Sequence, residues 1–157
     1  MRFPPFFASD EEADRAYIAC GKVALNWGPI ELHLEAAIVS MRYLLGVRRD
    51  EKLPVSFSKK SDELKLLLRG FEPISDAYRL LLTEAKRVHG IRSKIVHSLC
   101  QGTNLEGELM FGHSSPKEGW GYTELKLTIP EVEKLAADMR ELRESLTKAG
   151  QEAGFNF

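Results

Sequence analysis

One apolar stripe with helical spacing covers residues 16–45 and limits most strongly what this chain can fold into. Its members recur at alternating intervals of about three and four positions, which places them on one face of an α-helix. Ahead of the stripe, Ser9 and Glu12 have the spacing of a capping box at a helix N-terminus. Pro29 lies inside the stripe and predicts a kink or a break, which leaves four or five helices in all. The stripe consists of Ala16, Cys20, Val23, Trp27, Ile30, Leu34, Ile38, Met41 and Leu45.

Two further helical patterns follow in the middle of the chain. Residues 46–58 contain Gly, Pro and a charged cluster, and they indicate an exposed connection. A short helix is expected over 61–70, where leucines follow a serine and a glycine stops the pattern. A long amphipathic helix is predicted from residue 75 to shortly before Gly102, because its apolar residues keep the helical spacing without a proline. Those residues are Tyr78, Leu81, Leu82, Ala85, Val88, Ile91, Ile95 and Leu99.

The end of the chain combines a hairpin with a last helix. Segments 108–112 and 121–127 alternate like two strands around the polar turn SSPKEG. Thr128 and Glu131 repeat the capping-box spacing, and the apolar pattern behind them continues to Gly150. The sequence therefore predicts an all-α fold, a four- to five-helix up-down bundle with a small β-hairpin before the last helix.

Length and charge bound the class of protein. With 157 residues the chain fits one domain, 1–157, that can bury a real hydrophobic core. Its 22 basic and 23 acidic side chains leave a net charge of −1, so no overall attraction to polyanions or membranes is expected. Cys20 and Cys100, both in apparently helical contexts, are interpreted as two reduced thiols, with a single disulfide left open. A cytoplasmic protein without a membrane span is expected.

Several chemistries lack their motifs. The sequence contains no GxxxxGK[ST], GxGxxG, GxSxG or HExxH pattern. The spacing of its histidines and cysteines matches no compact zinc site, so neither a metal nor a cofactor is expected. Glu31 and Glu35 share a helix face near His33, which usually indicates a solvated face and less often the acidic lining of a cleft.

The segment VHGIRSKIVHSLC interrupts an apolar helix with regularly spaced polar residues. His89, Ser93 and His97 are each four positions apart and form one stripe. Arg92 stands about 140° around the helix from His97, so the two would flank a groove in which both could touch a bound anion. The positive charges in the same turns are Lys86, Arg87 and Lys94.

This combination of side chains suits a phosphodiester. Arginine offers a planar fork for phosphate, and histidine exchanges protons near neutral pH, so the pair could cleave a phosphodiester without a metal. The open alternative is structural: Arg92 would form a salt bridge to an acid of the first helix, and His97 would sit at the helix C-terminus.

The motif R-S-K-I-V-H, Arg92 to His97, on the penultimate helix resembles the HEPN superfamily (higher eukaryotes and prokaryotes nucleotide-binding domains). WGPIE, residues 27–31 on a long first helix, is similar to small prokaryotic members. The position after the arginine, commonly Asn, Asp or His in that family, is Ser93 here.

The resemblance implies a single HEPN-like domain that acts as a dimeric, metal-independent endoribonuclease, with Arg92 and His97 as its catalytic pair. RNA or phosphate would be bound by Ser93, Lys94, His89 and Arg87. The products would be 2',3'-cyclic phosphate and 5'-hydroxyl ends, and a toxin or defence role with a cognate antitoxin is implied. Because the family also contains inactive members, the alternative is a non-catalytic interaction or nucleotide-binding module.

Overall fold

A computed structural model describes residues 6–115, 117, 119–122 and 125–155 of the chain. Within them the chain is mostly helical, with a small antiparallel sheet before the last helix, as the sequence predicts in outline. The elements are α1 (Asp10–Leu45), α2 (Phe57–Leu67), α3 (Ile74–Val96), β1 (Leu99–Thr103), β2 (Leu109–Ser115), β3 (Gly119–Tyr122) and α4 (Ile129–Glu152).

Helix α1 is one continuous helix, and the predicted division at Pro29 is wrong. Its start is confirmed, because the backbone N–H of Glu12 donates to Ser9 Oγ at 3.1 Å. Pro29 points to solvent, while Trp27 and Ile30 beside it are buried. Packing of the buried neighbours holds the helix together at this point, although a proline in a helix interior costs about 3 kcal/mol.

Helix α2 begins four residues before its predicted start at Ser61. Its N-cap is Ser56, whose hydroxyl accepts a hydrogen bond from the N–H of Lys59 at 3.4 Å. The connection expected over residues 46–58 therefore ends at Ser56, the residue before α2 begins. As a result Lys60 also lies in the helix that contains Glu63, and both residues are buried.

Helix α3 ends at Val96, whereas its apolar pattern predicts continuation to Leu99. Leu99 and Cys100 belong instead to strand β1, so the helical context predicted for Cys100 is wrong. Their backbone pairs with Gly112 and Phe111 of β2. A pairing partner distant in sequence thus overrides a short helical pattern.

The predicted hairpin is a three-stranded antiparallel sheet in the order β1-β2-β3. The first predicted strand corresponds to β2. The second, 121–127, is shifted, because β3 ends at Tyr122 and Leu127 accepts an isolated backbone hydrogen bond from Leu109 at 2.7 Å. Pro116 and Glu118 of the predicted turn lie outside the described residues, as do 123–124.

The start of helix α4 is confirmed in detail. Thr128 Oγ1 accepts from the N–H of Glu131 at 3.4 Å, and Glu131 Oε2 accepts from the N–H of Thr128 at 2.7 Å. The hydrogen bonds that the N–H and the hydroxyl of Thr128 donate to this carboxylate lower the pKa of Glu131. The capping box read from the sequence is therefore present as a reciprocal pair of hydrogen bonds.

The chain divides into two compact units, each with its own core. The first consists of Met1–Asn26 and Val88–Asp138, and the second of Trp27–Arg87 and Met139–Phe157. Buried apolar residues of the first unit include Ala16, Val23, Val88, Ile95, Leu109, Phe111, Val132 and Leu135. Those of the second include Trp27, Ile30, Leu34, Ile38, Leu64, Tyr78, Leu82, Met139 and Leu146.

Candidate functional site

The C-terminal end of α3, in the first compact unit, gathers four of the predicted site residues. Arg92, Ser93 and Lys94 lie in the last two turns of the helix, and His97 follows one residue after its end. The N–H of His97 still donates to the carbonyl of Ser93 at 3.1 Å, so the backbone keeps its helical course up to this residue. His97 and Lys94 are exposed, while Arg92 and Ser93 are half-buried. We call these four residues the α3-end cluster.

The guanidinium of Arg92 carries a donor without an acceptor. Its Nε atom is buried and has no hydrogen-bond partner among the described residues. The structural alternative, a salt bridge to an acid of α1, is absent from the part of the chain that the structure describes. Leaving a buried donor unsatisfied costs about 1–3 kcal/mol, and such donors are rare in folded proteins. An anionic oxygen bound at Arg92 would remove that cost.

The helix end itself affects what the α3-end cluster can bind. The C-terminus of a helix carries a partial negative charge, which stabilises cations such as Lys94 there. For the same reason the backbone offers no N–H cradle to an anion at this end. An anion would therefore be held by side chains, first of all by the fork of Arg92.

Two other predicted phosphate ligands, Arg87 and His89, precede the cluster in α3. Arg87 belongs to the second compact unit, and its Nη2 and Nε donate to the carboxylate of Glu84 at 2.6 and 3.0 Å. Its positive charge is thus already paired on the helix surface. His89 lies in the first unit, one turn before Ser93, and is half-buried.

Exposed apolar side chains are found close to His97 in the sequence and along α1. Val96 and Leu99, on either side of His97 in the sequence, are 39% and 61% exposed. On α1, exposed apolar residues recur at an interval of seven, and thus on one helix face, within each unit: Ile18 and Leu25 in the first, and Leu32 and Val39 in the second. We call them the α1 outer stripe: Ile18, Leu25, Leu32 and Val39, between 51% and 78% exposed.

In the second unit, Glu31 and Glu35 are half-buried and pair with one buried lysine. Both accept hydrogen bonds from the ammonium of Lys60, at 2.7 and 2.5 Å, and Lys60 is only 4% exposed. Burial opposes the charge of Lys60, but the two carboxylates outweigh it and raise its pKa. The three groups satisfy one another, which leaves no free acid or base for catalysis.

His33, on the same helix, is a buried structural residue. Its Nε2 lies 2.9 Å from the hydroxyl of Tyr78. Burial lowers the pKa of His33 to about 4 and raises the pKa of Tyr78. At neutral pH this imidazole is therefore uncharged.

The sequence analysis missed a buried ion pair in the same unit. Arg42 Nε and Nη2 donate to the carboxylate of Glu63 at 2.7 and 3.0 Å, and Nη1 donates to the carbonyl of Glu51 at 2.7 Å. The signal was available, because Arg42 follows Ile38 by four positions and so continues the buried face of α1.

A cavity of about 340 Å³ also lies in the second unit and contains none of the predicted site residues. Two of the polar residues that line it are paired with each other, since Arg79 Nη2 donates to Asp76 Oδ1 at 3.2 Å. The cavity is lined by Lys65, Leu68, Arg69, Glu72, Ser75, Asp76, Tyr78, Arg79 and Leu82.

In the described ranges, three or more His, Cys, Asp or Glu side chains never converge to hold a metal ion. Nor does any helix described there have the length and apolar character needed to cross a bilayer. Comparison of the chain with protein-family models, with curated proteins and with solved structures found no match.

Proposed function

We propose that this protein is a metal-independent endoribonuclease with the up-down helical bundle of the HEPN type, and that the α3-end cluster is its active site. The observation that carries the proposal is the buried, unpartnered Nε of Arg92 close in sequence to the exposed imidazole of His97. One group is a phosphate fork without its acceptor, and the other is a proton carrier open to solvent.

The proposed reaction is a transesterification within the RNA chain. The ribose 2'-oxygen attacks the adjacent phosphorus and loses its proton, and the bond from phosphorus to the 5'-oxygen breaks. Arg92 holds the nonbridging oxygens and stabilises the charge that builds on them. His97 accepts the 2'-hydroxyl proton or protonates the leaving oxygen, a role worth about 10²–10⁴-fold in rate. The products are a 2',3'-cyclic phosphate and a 5'-hydroxyl.

Neighbouring side chains of the same unit would position the substrate. Lys94 adds an exposed positive charge, which attracts the phosphate backbone in a salt-dependent way. The hydroxyl of Ser93 and the ring of His89 lie on the preceding turns and would contact adjacent phosphate or ribose oxygens. We leave Arg87 out of this set because Glu84 already occupies its guanidinium.

A homodimer would complete this site. A single Arg92–His97 pair provides one phosphate clamp and one proton carrier, whereas a two-fold axis at the α3-end cluster provides an acid and a base at once. The exposed apolar residues Val96 and Leu99 beside His97, and the α1 outer stripe, support association between copies.

We place the enzyme in the cytoplasm as a toxin or defence effector that a cognate antitoxin protein would restrain. RNA cleavage by such an effector would need no cofactor, because Arg92 and His97 supply both the charge and the proton transfer.

The test is cleavage of single-stranded RNA in the presence of EDTA. The wild-type protein should cut RNA but not a 2'-O-methylated copy of the same sequence, since methylation removes the nucleophile. His97→Gln and Arg92→Lys should each lower the rate at least about 100-fold. Arg140→Ala, an exposed arginine of α4, is the matched control and should cut at the wild-type rate. Equal cleavage by His97→Gln and wild type would refute the assignment.

The α1 outer stripe also favours a second candidate, a non-catalytic interaction module. Leu25→Lys should dissociate the homodimer in sedimentation experiments, while Val55→Lys, at a 90% exposed position in a loop, should leave it intact. If the wild type cuts no RNA and Leu25→Lys abolishes association, the chain is an interaction module. Titration with nucleotides at millimolar concentration tests the related hypothesis that the chain is a nucleotide-binding module.

A further inference from the structure

The three-stranded sheet of the first compact unit has a buried face and an exposed face. Side chains alternate between the two faces along a strand. Phe111 of β2 is buried in the core, so Gly112, the next residue, belongs to the opposite, outer face. Gly112 is paired in register with Leu99 of β1 and with Tyr122 of β3, which therefore share this face. The outer face thus begins two positions after His97 and extends across the sheet to β3.

Strand β3 carries two exposed aromatic side chains on the outer face. Trp120 and Tyr122 are separated by one residue, so both lie on the same side of the strand. Their exposed fractions are 56% and 40%. Tryptophan is on average a highly buried residue type, and neighbouring aromatic rings left open to solvent indicate a binding surface.

Gly112 leaves the room that the indole of Trp120 occupies. A Cβ atom at position 112 would lie 2.9 Å from Cη2 of the indole, so any larger residue would displace the ring. The side-chain amide carbon of Gln101 would lie 3.3 Å from the same point. The indole is thus held against β2 while more than half of its residue's surface remains open, and an amide that can donate and accept hydrogen bonds lies near it.

The sheet contains no acidic side chain. None of the residues of β1, β2 or β3 is Asp or Glu, although the chain has 23 acidic side chains. A polyanion would therefore meet no carboxylate of these strands, while Arg92 and Lys94 of the α3-end cluster belong to the same unit. Single-stranded nucleic acid is bound by this combination, because bases stack on aromatic rings and phosphates follow positive charge. Charge and aromatic content together favour RNA as the occupant over an apolar partner.

We propose that Trp120 and Tyr122 form a base-stacking platform for unpaired bases of the RNA substrate, an inference that rests on the proposed ribonuclease function. Neighbouring strands are about 4.8 Å apart, so the backbone at Tyr122 lies two strand spacings, about 10 Å, from Leu99. A few nucleotides span this distance, so RNA with its scissile phosphate at Arg92 reaches the platform with adjacent bases. Because every base has a π-face, the platform selects single strands over duplexes and tolerates different sequences.

The test measures binding of a fluorescently labelled, 2'-O-methylated RNA of about 12 nucleotides, which the proposed reaction cannot cleave. Trp120→Leu and Tyr122→Leu each remove a ring but keep an apolar side chain, and each should raise Kd at least about 5-fold. Trp120→Phe keeps a smaller ring and should retain part of the affinity. Tyr43→Leu, which removes a 70% exposed ring from α1, is the matched control and should leave Kd unchanged.

A probe of the same length without bases separates stacking from charge. Wild-type protein should bind this abasic probe at least about 5-fold more weakly than the probe with bases. Trp120→Leu should lose most of that difference and bind the abasic probe as wild type does, which also shows that the variant is folded. Lys94→Ala should weaken binding of both probes, because its charge acts on the phosphates.

Equal affinity of wild type and Trp120→Leu for the probe with bases, or equal affinity of wild type for the two probes, would overturn the platform. A Trp120→Leu protein that loses only self-association in sedimentation would overturn it as well, since the outer face would then contact a second copy. Failure of the proposed ribonuclease is a separate result, in which wild type binds the probe through Trp120 but leaves unmethylated RNA intact.

Discussion

Lowering the pH below 6.5 should destabilise the protein through one residue, His33. Its imidazole is 7% exposed, contacts the hydroxyl of Tyr78, and has its pKa lowered by burial to about 4. In the unfolded chain the same ring has the ordinary value of 6.5. Between these two values the unfolded state therefore binds a proton that the folded state does not.

The sign and size of the effect follow from that difference. Where the unfolded state binds more protons, stability rises with pH, so the contribution of neutral His33 is complete above pH 6.5 and is lost as the pH falls toward 4. For a folded pKa of about 4 and an unfolded pKa of 6.5, the loss from pH 8 is about 2 kcal/mol at pH 5 and about 3 kcal/mol at pH 4.

The assay is urea unfolding of wild type and His33→Gln at pH 8, 7, 6 and 5. Glutamine keeps a polar partner for Tyr78 but does not titrate, so the gap in unfolding free energy between the two proteins should narrow by about 2 kcal/mol from pH 8 to pH 5. Carboxylates that titrate in both proteins cancel in this difference. Parallel curves for wild type and His33→Gln would refute the reasoning.

Two further predictions concern stability, and a third concerns the surroundings of Trp120. Lys60→Met leaves two neighbouring carboxylates without their cation and should lower the unfolding free energy by about 2–4 kcal/mol in urea titrations. Replacing both of these glutamates with glutamine in the same variant should recover most of that loss. Arg92→Met removes a buried donor without a partner and should raise the unfolding free energy by about 1 kcal/mol while abolishing RNA cleavage, whereas a loss above about 2 kcal/mol would indicate a structural role. Gly112→Ala places a methyl group against the indole of Trp120, so it should displace that ring and change its fluorescence, while Gly121→Ala, with only a contact at 3.7 Å to a histidine ring, should leave the spectrum unchanged.

Those parts of the fold that depend on local interactions could be predicted from the sequence. The caps at Ser9 and Thr128 act within one helical turn, so the residues that form them are adjacent in the sequence. Strand β1 could not be predicted, because Leu99 continues the helical spacing of α3 and its pairing with Gly112 is a contact between distant segments. The tendency of Pro29 to break helix α1 was overestimated for a similar reason. Packing of its buried neighbours outweighs the local preference of proline against a helix interior.

The candidate site likewise has one part that the sequence predicts and one part that depends on contacts between elements. The α3-end cluster could be found because Arg92 and His97 share one helix, so their spacing is readable from the sequence. The lack of an acceptor at Arg92 Nε could not be predicted, because it depends on which groups other elements bring near this atom. The place of Cys100 in strand β1 likewise depends on pairing with β2, and the expectation of a helix hid it.

The lysine held between two carboxylates in the second unit also constrains how this chain can diverge. Because Lys60 is the cation that Glu31 and Glu35 share, losing Lys60 alone leaves two carboxylates uncompensated, whereas losing one glutamate leaves a balanced ion pair. Either acid should therefore be replaceable singly, and an apolar residue at position 60 should occur only where the acids at 31 and 35 are lost. In a set of diverged relatives, a chain with both acids and no cation at position 60 should be rare.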